Sequence, residues 1–154
     1  MTLKAKMTKS LTLKTLIPDI KKSFLSQGNR KIIRDEIKEK IQSGVSPVAG
    51  FNRFKKYSKG YAKFKGKFQP VDMKVNGDML DSMQVRTTKS SFLIAFRSII
   101  ADYHNRLGAG RGKVIRRLLP TKNGERFKKD IQNRILRMLE GASRKSIKKQ
   151  NRRS

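Results

Sequence analysis

The chain has 154 residues, no cysteine and a formal net charge of +28 at pH 7. This length fits one domain with a single hydrophobic core, and the absence of cysteine excludes disulfides and thiolate metal sites. The charge indicates an anionic partner, either nucleic acid or an acidic protein surface, and no apolar run reaches the roughly 18 residues of a membrane-spanning helix, so we expect a soluble protein without a membrane partner.

The N-terminal part of the chain predicts a basic arm followed by a long helix. Residues 1–17 mix Lys, Thr, Leu and Met without a helical period, which indicates a flexible arm. Pro18 and Asp19 suit a first helical turn, because proline needs no N–H there and a carboxylate meets the positive end of the helix dipole. The helix should weaken at Gly28 and end at Gly44. Its apolar face has the i, i+4, i+8 spacing: Ile33, Ile37 and Ile41.

A segment rich in lysine and aromatic residues follows at residues 45–70, and we call it the aromatic arm. Gly60 and Gly66 weaken any long helix, so we expect an extended arm with helical turns. Its rings could stack on bases while its lysines track phosphates. The alternative, which we favour, is that the rings anchor the arm to the sheet or to a neighbouring subunit. The candidate interface residues are Phe51, Phe54, Tyr57, Tyr61, Phe64 and Phe68.

The middle of the chain predicts a small antiparallel sheet. One or two helical turns at residues 78–83 precede a hairpin formed by residues 84–87 and 91–97. A further half-buried strand is predicted where apolar residues alternate with polar ones: Val71, Met73 and Val75.

A short helix is predicted from Ile99 to Leu107, and three glycines then end it in a flexible loop. The loop does not have P-loop spacing, since Gly112-Lys113 is followed by Val114. It could contact DNA phosphates or an acidic neighbour, or it could be a mobile basic loop. The basic residues concerned are Arg111, Lys113, Arg116 and Arg117. Residues 114–119 form either an edge strand or an extended approach to Pro120.

A final amphipathic helix is predicted with Asn123 as N-cap and Glu125 in the first turn. Its apolar stripe consists of Phe127, Ile131, Ile135, Met138 and Leu139. Residues 142–154 carry six basic groups and indicate a solvated tail. We therefore expect one α+β domain over residues 18–141, between the arm at 1–17 and this tail.

The chain shows no constellation that supports catalysis, a cofactor or a metal. His104 is the only histidine, and a triad or a histidine metal site needs partners that the sequence does not provide. Asp78 and Asp81 could hold a divalent cation, but capping of a helix beside Gly77 is the better interpretation for Asp78. We expect a protein that is not an enzyme.

Short motifs follow one another in a fixed order between residues 46 and 139. They are Ser46-Pro47-Val48-x-Gly50, Phe54-x-x-Tyr57-Ser58-x-x-Tyr61, Pro70-Val71-x-Met73, Asn76-Gly77-Asp78-Met79-Leu80-x-Ser82, Ala101-x-Tyr103-His104-Asn105, and Arg117-x-Leu119-Pro120 with Gly124-Glu125. In order and spacing the series resembles the neck or tail-completion proteins of tailed bacteriophages, also called virion-morphogenesis or head-tail connector proteins.

The resemblance implies a small antiparallel sheet packed by a long N-terminal helix and a C-terminal amphipathic helix. It further implies a structural virion protein whose copies form a ring, a hexamer or dodecamer, in the neck around the DNA path. The implied partners are portal, adaptor or tail proteins and packaged DNA, and the implied location is the virion, with the host cytoplasm during assembly. Because ring contacts are heterologous, each subunit needs two different patches. We expect these to be the aromatic arm, from Phe51 to Phe68, and the loop from Gly108 to Lys113, which we call the glycine loop.

A second hypothesis belongs to another class of protein. The charge, the basic C-terminus and the lysines of the aromatic arm are also typical of a nucleic-acid-binding protein of the ribosomal type. The sequence alone leaves both hypotheses open.

Overall fold

The computed structural model describes residues 13–66, 71–73, 77–87, 92–122 and 124–153. Within these ranges the chain forms six α-helices, one π-helix and a two-stranded antiparallel sheet. This mixture confirms the α+β class at a coarse level. The elements are α1 (Leu13–Phe24), α2 (Gln27–Gln42), α3 (Lys59–Lys65), α4 (Asp78–Asp81), β1 (Met83–Thr87), β2 (Phe92–Phe96), α5 (Ile99–Asp102), the π-helix (Tyr103–Leu107) and α6 (Lys129–Arg153).

The predicted single N-terminal helix is wrong, because two helices occupy this region. α1 begins well before Pro18, which therefore lies inside it. A proline in a helix interior removes one hydrogen bond, and the packing of α1 against α6 offsets that loss. The break falls at Leu25 and Ser26 instead of Gly28, because the Ser26 hydroxyl caps α2 by accepting a hydrogen bond from the amide of Asn29 at 3.4 Å.

Helix α2 carries the predicted apolar stripe into the middle of the protein. Ile33, Ile37 and Ile41 of this stripe are almost completely buried, and the helix packs against both β1 and α6. The predicted stop is confirmed: α2 ends at Gln42, and Gly44 follows with φ +78°, a left-handed conformation that glycine adopts without strain.

The predicted hairpin is confirmed as β1 and β2, which pair from Met83 with Phe96 to Thr87 with Phe92. Met83 and Val85 are buried on its inner face. The further strand predicted at residues 71–75 is wrong for its described part, because Met73 has φ +53° and no extended strand accommodates a left-handed residue. The alternation itself holds, since Val71 and Met73 are buried and the residue between them is less so. Val75 lies outside the described residues.

The predicted helical turn before the hairpin is confirmed as α4. Two residues of this helix, Met79 and Leu80, are buried. Asp78 does not cap the helix as predicted, because Gly77 is the N-cap residue and no side chain makes a capping hydrogen bond. Asp81 instead forms an ion pair with Lys38 of α2 at 2.7 Å. This ion pair links α4 to α2.

Helix α6 begins later than predicted. The expected N-cap, Asn123, lies outside the described residues, and the helix starts at Lys129. Glu125 is not in its first turn because the carboxylate accepts hydrogen bonds from the amides of Thr121 and Lys122, at 2.7 and 3.2 Å. The chain then runs alongside the loop after α2, where Phe127 and Val48 form an isolated antiparallel bridge.

The predicted C-terminal tail is wrong for residues 142–153, which continue α6 to a length of 25 residues, or about 38 Å. Ala142 and Ser146 are each 3% exposed and extend the apolar stripe with small side chains. The sequence pattern of large apolar residues did not reveal them. None of the helices in the described ranges is apolar over enough residues to cross a membrane.

The helical C-terminus leads to a test. Ala142→Lys should lower the free energy of unfolding by about 2 kcal/mol, because it forces a charge into the buried side of α6. Urea unfolding followed by circular dichroism measures the change. Lys145→Ala, at an exposed position three residues further along, serves as the control and should change stability by less than about 0.5 kcal/mol. A neutral Ala142→Lys would mean that residues 142–153 are an undocked tail.

Candidate functional site

A buried arginine lies at the centre of the region formed by the motifs that resemble those of phage neck proteins. Arg117 is 7% exposed, and its Nη1 donates hydrogen bonds to the backbone oxygen of Asn105 at 2.6 Å and the Thr121 hydroxyl at 3.0 Å. Its Nη2 lies 3.4 Å from Oε1 of Glu125, and its guanidinium lies 5.3 Å from the ring centre of Phe51. A buried guanidinium is stable when it is paired and hydrogen-bonded in this way.

Two further polar side chains complete this cluster. Oδ1 of Asn105 accepts hydrogen bonds from the amides of Leu118 and Leu119, at 2.7 and 3.0 Å. The Ser46 hydroxyl donates to the backbone oxygen of Arg117 at 2.6 Å. We call Ser46, Asn105, Arg117 and Glu125 the arginine hub. It joins the loop after α2, the π-helix, the extended segment at residues 116–121 and the turn before α6.

The electrostatics of the hub keep Glu125 ionised. The amide of Thr121 lowers the pKa of this carboxyl most strongly, and the amide of Lys122 and the charge of Arg117 lower it further. A carboxylate that accepts backbone hydrogen bonds favours its charged form. The ion pair with Arg117 is therefore present at neutral pH.

The glycine loop is a closed turn. Ala109 and Val114 exchange two backbone hydrogen bonds, at 3.0 and 3.1 Å. Gly108 has φ +89°, and a Cβ added to it would lie 2.4 Å from the backbone oxygen of Lys113, so only glycine fits there. The amides of Gly108 and Arg116 donate to the backbone oxygens of Tyr103 and His104, at 2.6 and 2.7 Å, and so fix both ends of the loop to the π-helix.

The structure divides the four predicted basic loop residues into two pairs. Arg111 and Lys113 are exposed, as contact with DNA or an acidic neighbour requires. Arg116 and Arg117 are each 7% exposed and do not lie on the open surface, and their contact with DNA or an acidic neighbour stays a prediction. Both lie on an extended segment between the loop and Pro120, which is the second of the two predicted alternatives. Because successive side chains of extended backbone point to opposite sides, only Arg117 enters the hub.

The aromatic residues of the aromatic arm also fall into two groups, one buried and one exposed. Phe54 and Tyr57 are buried within this chain, which agrees with the anchoring interpretation and removes both from any free interface. Phe51, Tyr61 and Phe64 are 37%, 36% and 75% exposed. Their role at a subunit interface stays a prediction. Phe68 lies outside the described residues.

The aromatic arm and the glycine loop, which were expected to be separate patches, face each other across one cleft of about 1130 Å³. We call it the basic cleft. The arm contributes Lys55, Tyr57 and Tyr61, and the loop contributes the stretch around Arg111. The remaining lining includes Met79, Ile100, His104 and Arg116.

Arg116 is the least satisfied charged group of the basic cleft. Its Nη2 donates to the backbone oxygen of Lys55 at 3.2 Å, and its guanidinium lies 5.7 Å from the ring centre of Tyr57. Its Nε is buried without a hydrogen-bond partner, and the guanidinium forms no ion pair with any described residue. Burial lowers the pKa of Arg116, as expected for a charge without a counterion.

His104 lies beside this guanidinium and is uncharged at neutral pH. Burial, and then the charge of Arg116, lower the pKa of His104 to about 4. Its Nδ1 is buried without a partner. Across the cleft, burial and Asp72 raise the pKa of Tyr57, whose hydroxyl donates to Asp72 at 3.1 Å. His104 and Tyr57 are therefore both uncharged near neutral pH. The charge of the cleft is the positive charge of its arginines and lysines.

Acidic side chains and possible metal ligands are sparse in the described part of this region. Among the described residues, no group of three or more His, Asp or Glu side chains could hold a metal ion. Asp78 is the acidic side chain in the cleft lining, and it is exposed. No protein-family model matches the chain, no curated protein matches it, and no solved structure matches it.

The protonation of His104 leads to a pH prediction. In the unfolded chain His104 takes up a proton near pH 6.5, whereas in the folded protein it does so near pH 4. The unfolded state therefore binds more protons between these values, and the free energy of unfolding falls as the pH falls. The decrease is at most about 1.4 kcal/mol per pH unit, and smaller here because part of the ring meets solvent.

His104→Gln removes this contribution. Urea unfolding of both proteins between pH 7 and pH 4 should therefore show a shallower loss of stability in the variant. The carboxyl groups titrate alike in the two proteins and cancel in the difference. Equal pH dependence in both would show that His104 is not held neutral by the fold.

Proposed function

We propose that this chain is a structural protein of tailed-phage virions that forms an oligomeric neck ring, as a head-tail connector or tail-completion protein, between the portal and the tail and around the DNA path. The motif series between residues 46 and 139 supports the class. The subunit fold implied by the resemblance, with helices on an antiparallel sheet, belongs to the proposal, and the packing of α2 against β1 supports it.

The observation that carries the assembly is a row of large apolar side chains that the fold leaves exposed on α5 and the π-helix. We call it the apolar row; its members and their exposed fractions are Ile99 (69%), Ile100 (54%), Tyr103 (47%) and Leu107 (57%). Contiguous exposed apolar side chains of this kind mark protein interfaces.

Buried residues of the same helical segment fix the position of the apolar row. Ala101 and Asn105, which lie between its members in the sequence, are buried. Asn105 is held by the arginine hub, so the opposite side of the same helical segment must face outward. A bidentate pair between Asp102 and Arg106, at 2.5 and 2.7 Å, spans one turn of the segment. The row is therefore a preformed surface.

A ring contact needs a second, different surface on the neighbouring subunit. The glycine loop and the aromatic arm line one cleft, so they do not serve as the two opposed patches. We propose that the members of the apolar row outside this cleft, Ile99, Tyr103 and Leu107, form one patch. The exposed rings of the aromatic arm outside the cleft, Phe51 and Phe64, form the other. Apolar contact between rings and aliphatic side chains would bury both surfaces.

A second candidate function is sequence-independent nucleic-acid binding, and one observation favours it. The last turns of α6 carry basic side chains and no acidic one beyond residue 140: Arg144, Lys145, Lys148, Lys149, Arg152 and Arg153. Duplex DNA binding by a monomer, with affinity that falls steeply with salt, would favour this candidate over the ring.

Assembly can be tested at the apolar row. Leu107→Glu should convert rings into monomers, because a carboxylate in an apolar contact is costly to desolvate. Sedimentation velocity and negative-stain microscopy report the oligomeric state. Leu136→Glu is the matched control, since Leu136 on α6 is 55% exposed and lies outside both proposed patches; it should leave the rings intact. A wild-type chain that stays monomeric at all concentrations, or a Leu107→Glu variant that still forms rings, would contradict the proposal.

A further inference from the structure

We propose that the basic cleft is a docking site for a carboxylate-bearing apolar segment of a different protein, and that Arg116 recognises the carboxylate. The inference deepens the proposed function and rests on it in one respect, since it gives the chemistry of a neck neighbour. Its physical basis is a guanidinium that the fold buries and leaves without a counterion.

The guanidinium groups of Arg116 and Arg117, which are consecutive in the chain, differ in their partners. Arg117 has a carboxylate, a hydroxyl and a backbone oxygen as partners. Arg116 is equally buried, at 7% exposure, yet among the described residues its guanidinium makes one hydrogen bond, to the backbone oxygen of Lys55. A guanidinium offers five N–H donors in a fork that matches a carboxylate. The vacant donors of Arg116 therefore fit one bidentate carboxylate.

The chain itself does not supply this carboxylate from a side chain. It contains 11 Asp and Glu residues, and all of them fall within the described ranges. None of them forms an ion pair with Arg116. The segments outside those ranges carry no acidic side chain at all. An occupant from another molecule is the remaining source of a side-chain carboxylate.

The lining of the basic cleft indicates the rest of the occupant. Lys55, Lys56 and Arg111 surround the opening with positive charge, opposed by Asp78. The walls carry the apolar surfaces of Met73, Met79, Ile100 and Val114, together with two tyrosine rings. An occupant with apolar side chains around an acidic group would match both features. A second copy of this chain fits poorly because it also carries a net charge of +28.

A peptide fits the cleft better than a nucleic acid does. Nucleic-acid affinity comes from many exposed cations along a strand of phosphates. Here the distinguishing group is the guanidinium of Arg116, a residue that is nine-tenths buried. Such a site selects a single planar anion on an otherwise apolar ligand.

The test compares two fluorescein-labelled peptides in which leucines flank either one glutamate or one glutamine. Fluorescence anisotropy with the full chain is measured in 1 M salt, where the Debye length of about 3 Å suppresses surface charge attraction. The glutamate peptide should bind about tenfold more tightly than the glutamine peptide, the effect of one charged hydrogen-bonded pair. Arg116→Gln should abolish this preference, and Arg111→Gln, which removes the same charge at the exposed rim, should retain it.

Several outcomes would overturn the inference. The peptides could bind the wild-type chain equally, Arg116→Gln could keep the preference, or Arg111→Gln could lose it. Competition by single-stranded DNA in 1 M salt that depends on Arg116 would assign the cleft to phosphates instead. The wild-type comparison of the two peptides needs no variant to fold. Glutamate preference without rings would contradict the proposed function alone, and rings without glutamate preference would contradict this inference alone.

Discussion

The buried guanidinium of Arg117 is the constraint on which the functional region of this protein depends. Its partners come from segments far apart in the sequence, namely the loop that carries Phe51, the π-helix at Asn105 and the turn at Glu125. Removal of one partner of a buried ion pair is strongly destabilising, because it leaves the other charge uncompensated. The hub therefore couples the positions of segments that have no continuous secondary structure in common.

The other surfaces follow from this constraint. With Asn105 held inward, α5 and the π-helix expose the apolar row on their outer side. With Arg117 turned into the hub, the extended backbone turns Arg116 the opposite way, into the cleft between the aromatic arm and the glycine loop. Two equally buried arginines are thus adjacent in the chain, and only Arg117 forms an ion pair with a described residue. Arg117 contributes to the fold, and Arg116 is available to a partner.

Sequence reasoning succeeded where a single local pattern decides the structure. The isoleucine stripe of α2, the stop at Gly44, the hairpin and the turn at α4 each follow from periodicity or from glycine conformation. It failed where a contact distant in sequence overrides a local preference. Pro18 lies inside α1 because α6 packs against that helix, and Glu125 leaves the helix start because its carboxylate joins the hub.

The candidate site could be predicted in part for the same reason. The aromatic arm and the basic loop were recognised from composition, but their meeting across one cleft depends on tertiary packing. The burial of Arg116 and Arg117 was missed because arginine is rarely buried and the pair resembles a surface cluster. One indication of this burial was that the two arginines directly precede Leu118 and Leu119, which are core residues. The role of Asn105 in joining the segments was not predicted. Its side chain accepts hydrogen bonds from two backbone amides that are distant in the sequence.

The most direct test of this account is the stability of two variants, Arg116→Met and Arg117→Met, measured by urea unfolding at neutral pH. We expect Arg117→Met to lose about 3 kcal/mol, because it leaves Glu125 without its buried counterion. Arg116→Met should be nearly neutral or stabilising, because it replaces an uncompensated buried charge with an apolar chain of similar length. Equal losses in the two variants, or a larger loss for Arg116→Met, would contradict the division of roles between the two arginines.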